Sequence, residues 1–136
     1  MILKMKPVLA IATILAVGGA IAQLSSAKAD MHHIYAKPVE PELSPALNLG
    51  KMNYEAYCAS CHGKTARGTG AGPTFISRIY HPGHHGDGAF MVAPRKGVRA
   101  HHWQFGDMKP VPGVTDRQLI SILGYVRAVQ RANGVF

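Results

Sequence analysis

The pentapeptide Cys58-Ala59-Ser60-Cys61-His62 constrains this chain more than any other stretch of it. Its two thiols are three positions apart, and the sequence has no other cysteine. A redox disulfide of the thioredoxin type would need alternating strands and helices, and a structural zinc site would need a second pair of ligands. The sequence indicates neither. Cys-x-x-Cys-His is instead typical of covalent haem attachment, with the thiols bonded to the porphyrin and the histidine bound to iron.

The first 29 residues have the three parts of a secretory signal peptide. Lys4 and Lys6 give a positive start, residues 7–22 form an apolar run, and Ala27-Lys28-Ala29 is a small-x-small end. We therefore expect export to the periplasm and cleavage after Ala29. The alternative is an uncleaved membrane anchor, which is disfavoured because the apolar run is shorter than the roughly 20 residues of a spanning helix.

Residues 30–46 contain three prolines and little apolar periodicity, a pattern typical of an extended or mobile lead-in. Residues 47–136 then form the one folded domain. The net charge of the chain is +8, which favours acidic partners and steered association. We expect no nucleic-acid partner, because no binding motif accompanies the charge, and membrane association only if the leader is retained.

A helix is predicted from Leu47, with Asn48 as its cap. Gly50, Tyr54 and Cys58 recur on one face at four-residue intervals, so the haem motif is expected to end this helix. The following stretch is rich in glycine and proline and indicates loops.

Two short helical segments are predicted within those loops, at residues 74–80 and 87–97. Pro94 lies in the second segment, and we expect it to break or kink the helix after about two turns.

The strongest helical pattern covers residues 114–133. Thr115 and Gln118 match a capping box, and Asn133-Gly134 provides a stop. The apolar stripe along this helix consists of Leu119, Ile122, Leu123, Val126 and Val129.

The second iron ligand is predicted to be Met108. It lies in the loop Gly106-Asp107-Met108-Lys109-Pro110-Val111-Pro112-Gly113, just before the last helix. The prolines stiffen this loop and so lower the entropy lost when sulfur binds iron. Met91 falls on an apolar helix face, where methionine usually fills gaps in a core. Ligation of the iron by His101 or His102 in place of Met108 is the weaker alternative.

Together these residues resemble the class I cytochrome c family over residues 47–133. Gly50 and Tyr54 are similar to the glycine and aromatic residue of the family's first helix, and Ile122 and Tyr125 to their partners on its last helix. The resemblance implies an all-α class I cytochrome c fold, in which these two helices pack together around one covalently attached haem c.

The resemblance also extends to the haem ligands. Gly72-Pro73 is similar to the family's Gly-Pro, whose proline carbonyl accepts a hydrogen bond from the proximal imidazole and raises its basicity. Met108 with Pro110 is similar to the distal methionine loop. Lys109, Pro94 and the long histidine-containing loop depart from the family pattern. The resemblance thus implies cofactor binding by Cys58, Cys61, His62, Pro73 and Met108, with His62 and Met108 on the metal.

These features predict a periplasmic one-electron carrier with His/Met-ligated haem c. Both axial positions of the iron would be filled, so we expect an electron-transfer protein and not an enzyme. The alternative is the haem c electron-transfer subunit of an exported oxidoreductase complex. An open iron site reactive towards gases or peroxide is a third hypothesis.

Other conspicuous residues are basic side chains and histidines. The resemblance implies a basic docking rim for redox partners with acidic surfaces; a plain solvated surface is the alternative. His81, His84, His85 and Asp87 crowd one loop, and His101-His102 precede Trp103. The histidines could form a second metal site for copper or zinc or a pH-sensitive docking surface; the alternative is a polar loop folded over the haem. Cleavage after Ala29 would also expose Asp30-Met31-His32, a sequence that could bind Cu(II) or Ni(II) but more simply forms a tail. The proposed rim consists of Lys64, Arg67, Arg78, Arg95, Lys96, Arg99 and Lys109.

Overall fold

The computed structural model describes residues 37–136 of the chain. Within this range the chain is helical and has no named strand, as the all-α prediction requires. The predicted signal peptide at residues 1–29 and the start of the lead-in lie outside the described residues. The helices are α1 (Pro45–Tyr57), α2 (Ala59–His62), α3 (Asp87–Lys96) and α4 (Asp116–Ala132).

No helix within residues 37–136 combines the length and the apolar character needed to cross a lipid bilayer.

Helix α1 begins at Pro45, so the predicted start at Leu47 with Asn48 as cap is wrong. Ser44 is the N-cap, and its hydroxyl oxygen accepts a hydrogen bond from the Leu47 backbone N–H at 3.3 Å. Proline suits the first turn because the N–H that it lacks would have no helical acceptor there. The nearest capping side chain upstream of Pro45 therefore sets the start of the helix.

The sequence predicted that the haem motif forms the end of α1. In the structure α1 ends at Tyr57, directly before the motif. Cys58 has φ −123° and ψ −32°, outside helical geometry, and the chain then makes the single turn α2. The backbone N–H of His62 bonds to the Cys58 carbonyl at 3.0 Å. Both cysteines and the histidine thus lie within one separate turn.

The helix predicted at residues 74–80 does not form over the first half of that range. Thr74 donates its hydroxyl to the Ala66 carbonyl at 3.0 Å and accepts from the Ile76 N–H at 3.0 Å. The Phe75 N–H also bonds to the Ala66 carbonyl. These bonds hold the segment against the preceding loop, and only Arg78–Tyr80 form a 3₁₀ turn.

Pro94 does not break α3, contrary to prediction. The proline is buried and the helix continues to Lys96, two residues beyond it. Gly97 then ends the helix with φ +74°. The carbonyl of Pro94 accepts a hydrogen bond from the Val111 N–H at 2.7 Å, which ties this end of α3 to the loop that follows Met108.

Helix α4 forms as predicted, with both halves of the capping box in place. Thr115 accepts from the Gln118 N–H, and the Gln118 side chain accepts from the Thr115 N–H. Its apolar face packs against α1 and forms the core, which consists mainly of Tyr54, Leu119, Ile122, Tyr125, Val126 and Val129.

Gly50 is the point of closest approach between α1 and α4. A Cβ atom at this position would collide with the Ser121 carbonyl oxygen and lie 3.0 Å from Tyr125 Cβ. The rings of Tyr54 and Tyr125 meet one turn further along, with centroids 5.3 Å apart. The pairing that the resemblance implied between the first and last helices is therefore present.

The described part of the lead-in is held against the domain. The Val39 N–H donates to the Asn133 amide oxygen, and the Asn133 amide donates to the Val39 carbonyl, both at 2.8 Å. Lys51 also pairs with Glu40 at 2.9 Å. Residues 39 and 40 are therefore extended but fixed to both long helices.

Gly50→Ala is expected to destabilise the haem-bound protein by about 2–3 kcal/mol, because the new methyl group forces α1 and α4 apart. Gly124→Ala is the matched control, since a Cβ there meets nothing within 4 Å. Gly124→Ala should raise the free energy of unfolding by less than about 1 kcal/mol. Guanidinium unfolding followed by helical circular dichroism measures both. Equal losses in the two variants would contradict the close approach at Gly50.

Candidate functional site

The two thiols of the haem motif differ in their surroundings. Cys58 is half-buried at the break between α1 and α2, whereas Cys61 is exposed, and neither forms a disulfide. Burial, followed by the charge of the nearby Cys61 thiol, raises the pKa of the Cys58 thiol to about 11. Both sulfurs lie on one short stretch of chain, as attachment to a single porphyrin requires.

His62 is buried, with 7% of its surface exposed. Its Nδ1 lies 2.9 Å from the Pro73 carbonyl oxygen, the contact that the family resemblance implies. Because a carbonyl only accepts, Nδ1 carries the proton and Nε2 keeps the lone pair. Burial lowers the pKa of His62, while the hydrogen bond to Pro73 opposes that shift. The structure therefore presents a neutral imidazole whose Nε2 is able to bind a metal.

A compact loop brings Pro73 to the histidine. The Gly68 N–H donates to the His62 carbonyl at 2.7 Å, and the Thr69 hydroxyl donates to the Cys61 carbonyl at 2.5 Å. Gly72 packs on the motif, since a Cβ there would lie 3.1 Å from the Cys61 carbonyl oxygen. The sequence analysis did not identify Thr69, whose position seven residues after His62 carries no recognisable signal.

Tyr54 connects the helix pair to the haem motif. Its hydroxyl donates to the Gly63 carbonyl at 2.8 Å, immediately after His62, and the whole side chain is buried. Burial raises the pKa of this phenol well above its ordinary value. Tyr125 is also buried, but its hydroxyl has no hydrogen-bond partner among the residues that the structure describes.

Phe75 is a second residue that the sequence analysis missed. Its ring stacks on the imidazole of His62, with centroids 4.1 Å apart and planes at 25°. It also meets Tyr80 and Phe90 edge-on at 5.2 and 5.3 Å. An aromatic residue two positions after the Gly-Pro pair was the available signal, but the residue it would stack on depends on the fold of the loop.

Met108 lies in a loop with a fixed backbone. Its N–H and carbonyl exchange two hydrogen bonds with Val98, each of 2.9 Å. A side chain at Gly97 would collide with the Met108 carbonyl, so the glycine allows this close pairing. Met108 is half-buried, whereas Met91 packs against the helical core, the gap-filling position that its helix face predicted.

Arg127 forms a buried polar centre that the sequence did not predict. The side chain is on α4 with 6% of the residue exposed, and it contacts Asp87 at 2.8 Å and Gln130 at 2.7 Å. It also donates to the carbonyls of Tyr80 and His85, at 2.8 and 2.7 Å. Its guanidinium group therefore fastens the middle of the chain to the last helix.

The histidine loop is arranged differently from the grouping that the sequence indicated. His81 turns away: its Nδ1 accepts from the Gly83 N–H at 2.9 Å and its ring faces Phe136. His84 and His85 instead lie beside His102, which comes from a segment 17 residues further along the chain.

The comparisons with known proteins agree with this geometry. The family profile described as Cytochrome c matches residues 47–130, which is more than half of the chain. The chain therefore belongs to the cytochrome c family, and the predicted family and fold are confirmed. No significant match was found among curated proteins or among solved structures.

Membership of the family supports haem c as the cofactor and haem-based electron transfer as the activity. The residues present fit this cofactor. Cys58 and Cys61 lie on one turn and form no disulfide. His62 is buried, and because its Nδ1 is bonded to the Pro73 carbonyl, its Nε2 is the nitrogen that could bind iron.

Tyr54→Phe should destabilise the haem-bound protein by about 1–2 kcal/mol, because the buried Gly63 carbonyl loses a hydrogen bond. Tyr125→Phe removes a buried hydroxyl that pairs with no described residue, so it should leave stability unchanged or raise it. Chemical unfolding of the two single variants provides the comparison. A loss at Tyr125 as large as the loss at Tyr54 would show that this difference in hydrogen bonding is wrong.

Proposed function

We propose that this protein is an exported, periplasmic one-electron carrier with a single haem c. Cys58 and Cys61 would hold the haem covalently, and His62 and Met108 would ligate its iron. The observation that carries the proposal is the buried His62 imidazole, whose Nδ1 is bonded to the Pro73 carbonyl and whose Nε2 is left for the metal.

Haem iron supplies the chemistry when bound, by cycling between the ferrous and ferric states. The protein orients the ligand: the Pro73 carbonyl fixes both the tautomer and the plane of the His62 ring. Phe75 stacks on one face of this ring and limits its rotation. A ligand held from two directions moves little between oxidation states, which favours rapid electron transfer.

Met108 is the proposed second ligand. Its two backbone bonds to Val98 hold the residue in place before any sulfur–iron bond forms. The neighbouring bond between Val111 and Pro94 holds the rest of the loop against α3. Thioether ligation by Met108 would raise the reduction potential relative to two histidines, and with both His62 and Met108 holding the iron no position would be left for a substrate. These properties support a carrier and not a catalyst.

Met108→Leu should abolish the sulfur-to-iron absorption band of the oxidised protein and lower its reduction potential, because the thioether that favours ferrous iron is lost. Met91→Leu is the matched control, since Met91 packs against the core and should leave both properties unchanged. Optical spectroscopy and redox titration of the exported protein measure both. A band that survives in Met108→Leu would overturn the ligand assignment.

The partner proposal rests on the basic residues around the methionine loop. All seven members of the predicted rim are exposed, and Arg99 and Lys109 directly follow the bonded pair Val98 and Met108. Arg95 pairs with Asp116 and so contributes less free charge than the others. The arrangement supports docking of redox proteins with acidic surfaces near Met108.

Lys109→Glu should slow oxidation of the reduced protein by hexacyanoferrate(III) by a few-fold at low ionic strength, because this oxidant is anionic. Lys37→Glu is the charge-matched control at an exposed position in the lead-in, and should have a smaller effect. Stopped-flow rates at several salt concentrations test both, and the difference should shrink as salt rises. Equal slowing in the two variants would indicate a general charge effect in place of a local rim.

A further inference from the structure

Three histidines from two separate segments converge on the surface outside the haem motif. The Nε2 atoms of His84 and His102 lie 3.2 Å apart. One ring nitrogen from each of His84, His85 and His102 can be chosen so that all three lie within 4.8 Å of one another. His84 and His102 are exposed and His85 is half-buried, so the cluster opens to solvent.

The spacing suits a metal ion. Two imidazole nitrogens that bind one Zn(II) at ~2.0–2.1 Å in tetrahedral geometry are roughly 3.3 Å apart. The observed 3.2 Å between the Nε2 atoms of His84 and His102 is close to that separation. A hydrogen bond between two neutral imidazoles would also explain this single distance, but it does not explain why a third imidazole lies within reach of the same point.

His85 is held in the tautomer that a ligand needs. Its Nδ1 lies 2.7 Å from the Ile79 carbonyl oxygen, so this nitrogen donates and Nε2 keeps its lone pair. A histidine that donates its other N–H to a backbone carbonyl is the usual arrangement of a metal ligand.

Several bonds fix the first segment before any ion binds. The backbone N–H groups of His84 and His85 both donate to the His81 carbonyl, at 2.8 and 2.9 Å. The buried guanidinium of Arg127 donates to the His85 carbonyl at 2.7 Å. The loop is therefore a turn held by α4, and little backbone entropy remains to be lost on binding.

The second segment is held next to the first. Trp103, which directly follows His102, donates its indole N–H to the Tyr80 hydroxyl at 3.2 Å. The Ala100 N–H bonds to the Asp107 side chain at 2.8 Å, which closes the loop around His101 and His102. The rings of His85 and His102 have centroids 5.1 Å apart as a result.

We propose that His84, His85 and His102 form a second metal site that binds a divalent transition-metal ion, Zn(II) or Cu(II), independently of the haem. Imidazole nitrogen suits both ions, and three protein ligands leave one position open to solvent. The open position and the exposed ligands indicate an ion that exchanges with the medium.

The test is equilibrium dialysis of the haem-loaded protein against Zn(II), and separately against Cu(II), with elemental analysis of the bound metal. His84→Ala and His102→Ala each remove one ligand from an exposed position and should weaken binding at least tenfold. His81→Ala is the matched control, because it removes a histidine of the same loop that faces Phe136. The haem absorption spectrum of each variant reports whether the domain is folded.

One equivalent of either metal, lost in the His84 and His102 variants and retained in the His81 variant, would support the site. Zn(II) serves as the decisive ion, because a free N-terminus followed by His32 would favour Cu(II). The proposal is overturned if the wild-type protein binds no Zn(II) or Cu(II) at micromolar concentration. It is overturned equally if all three variants bind like wild type, or if His32→Ala alone abolishes binding.

Discussion

The hydrogen bond between His62 Nδ1 and the Pro73 carbonyl is the constraint on which the candidate haem site depends. It selects the imidazole tautomer, sets the ring plane and leaves a single nitrogen for the iron. The loop that delivers the carbonyl is short and is itself bonded to the motif through Gly68 and Thr69. The motif therefore contains the proposed ligand, His62, and the following eleven residues determine how its imidazole is oriented.

The pairing of α1 with α4 supports this arrangement from the other side. Gly50 lets the helices approach, and Tyr54 uses the resulting buried position to bond the Gly63 carbonyl directly after His62. Packing between the ends of the domain is thus transmitted to the haem motif through one phenol. A loss of helix contact would loosen the backbone next to His62, because the Tyr54 hydroxyl would no longer be held at the Gly63 carbonyl.

Much of this could be predicted from the sequence, because the decisive signals are local. The haem motif, the capping box of α4 and the glycine and aromatic pattern of α1 are each formed by residues only a few positions apart in the sequence. Two of the errors come from contacts between separate segments, whereas the start of α1 was misplaced although its cap, Ser44, is local. Thr74 bonds to Ala66 instead of forming a helix, and His102 takes the place of His81 beside His84 and His85. Such contacts leave no periodic pattern in the chain.

Tyr80 lies where several segments from the middle and the end of the chain meet. Its ring meets Phe75, its hydroxyl accepts from Trp103, and its carbonyl accepts from Arg127 and Gln130. Through these contacts Tyr80 joins the loop that follows the haem motif, the segment of Trp103 and helix α4 at one residue. A region that looks like loose loop in the sequence is therefore cross-linked through one aromatic side chain and its backbone carbonyl.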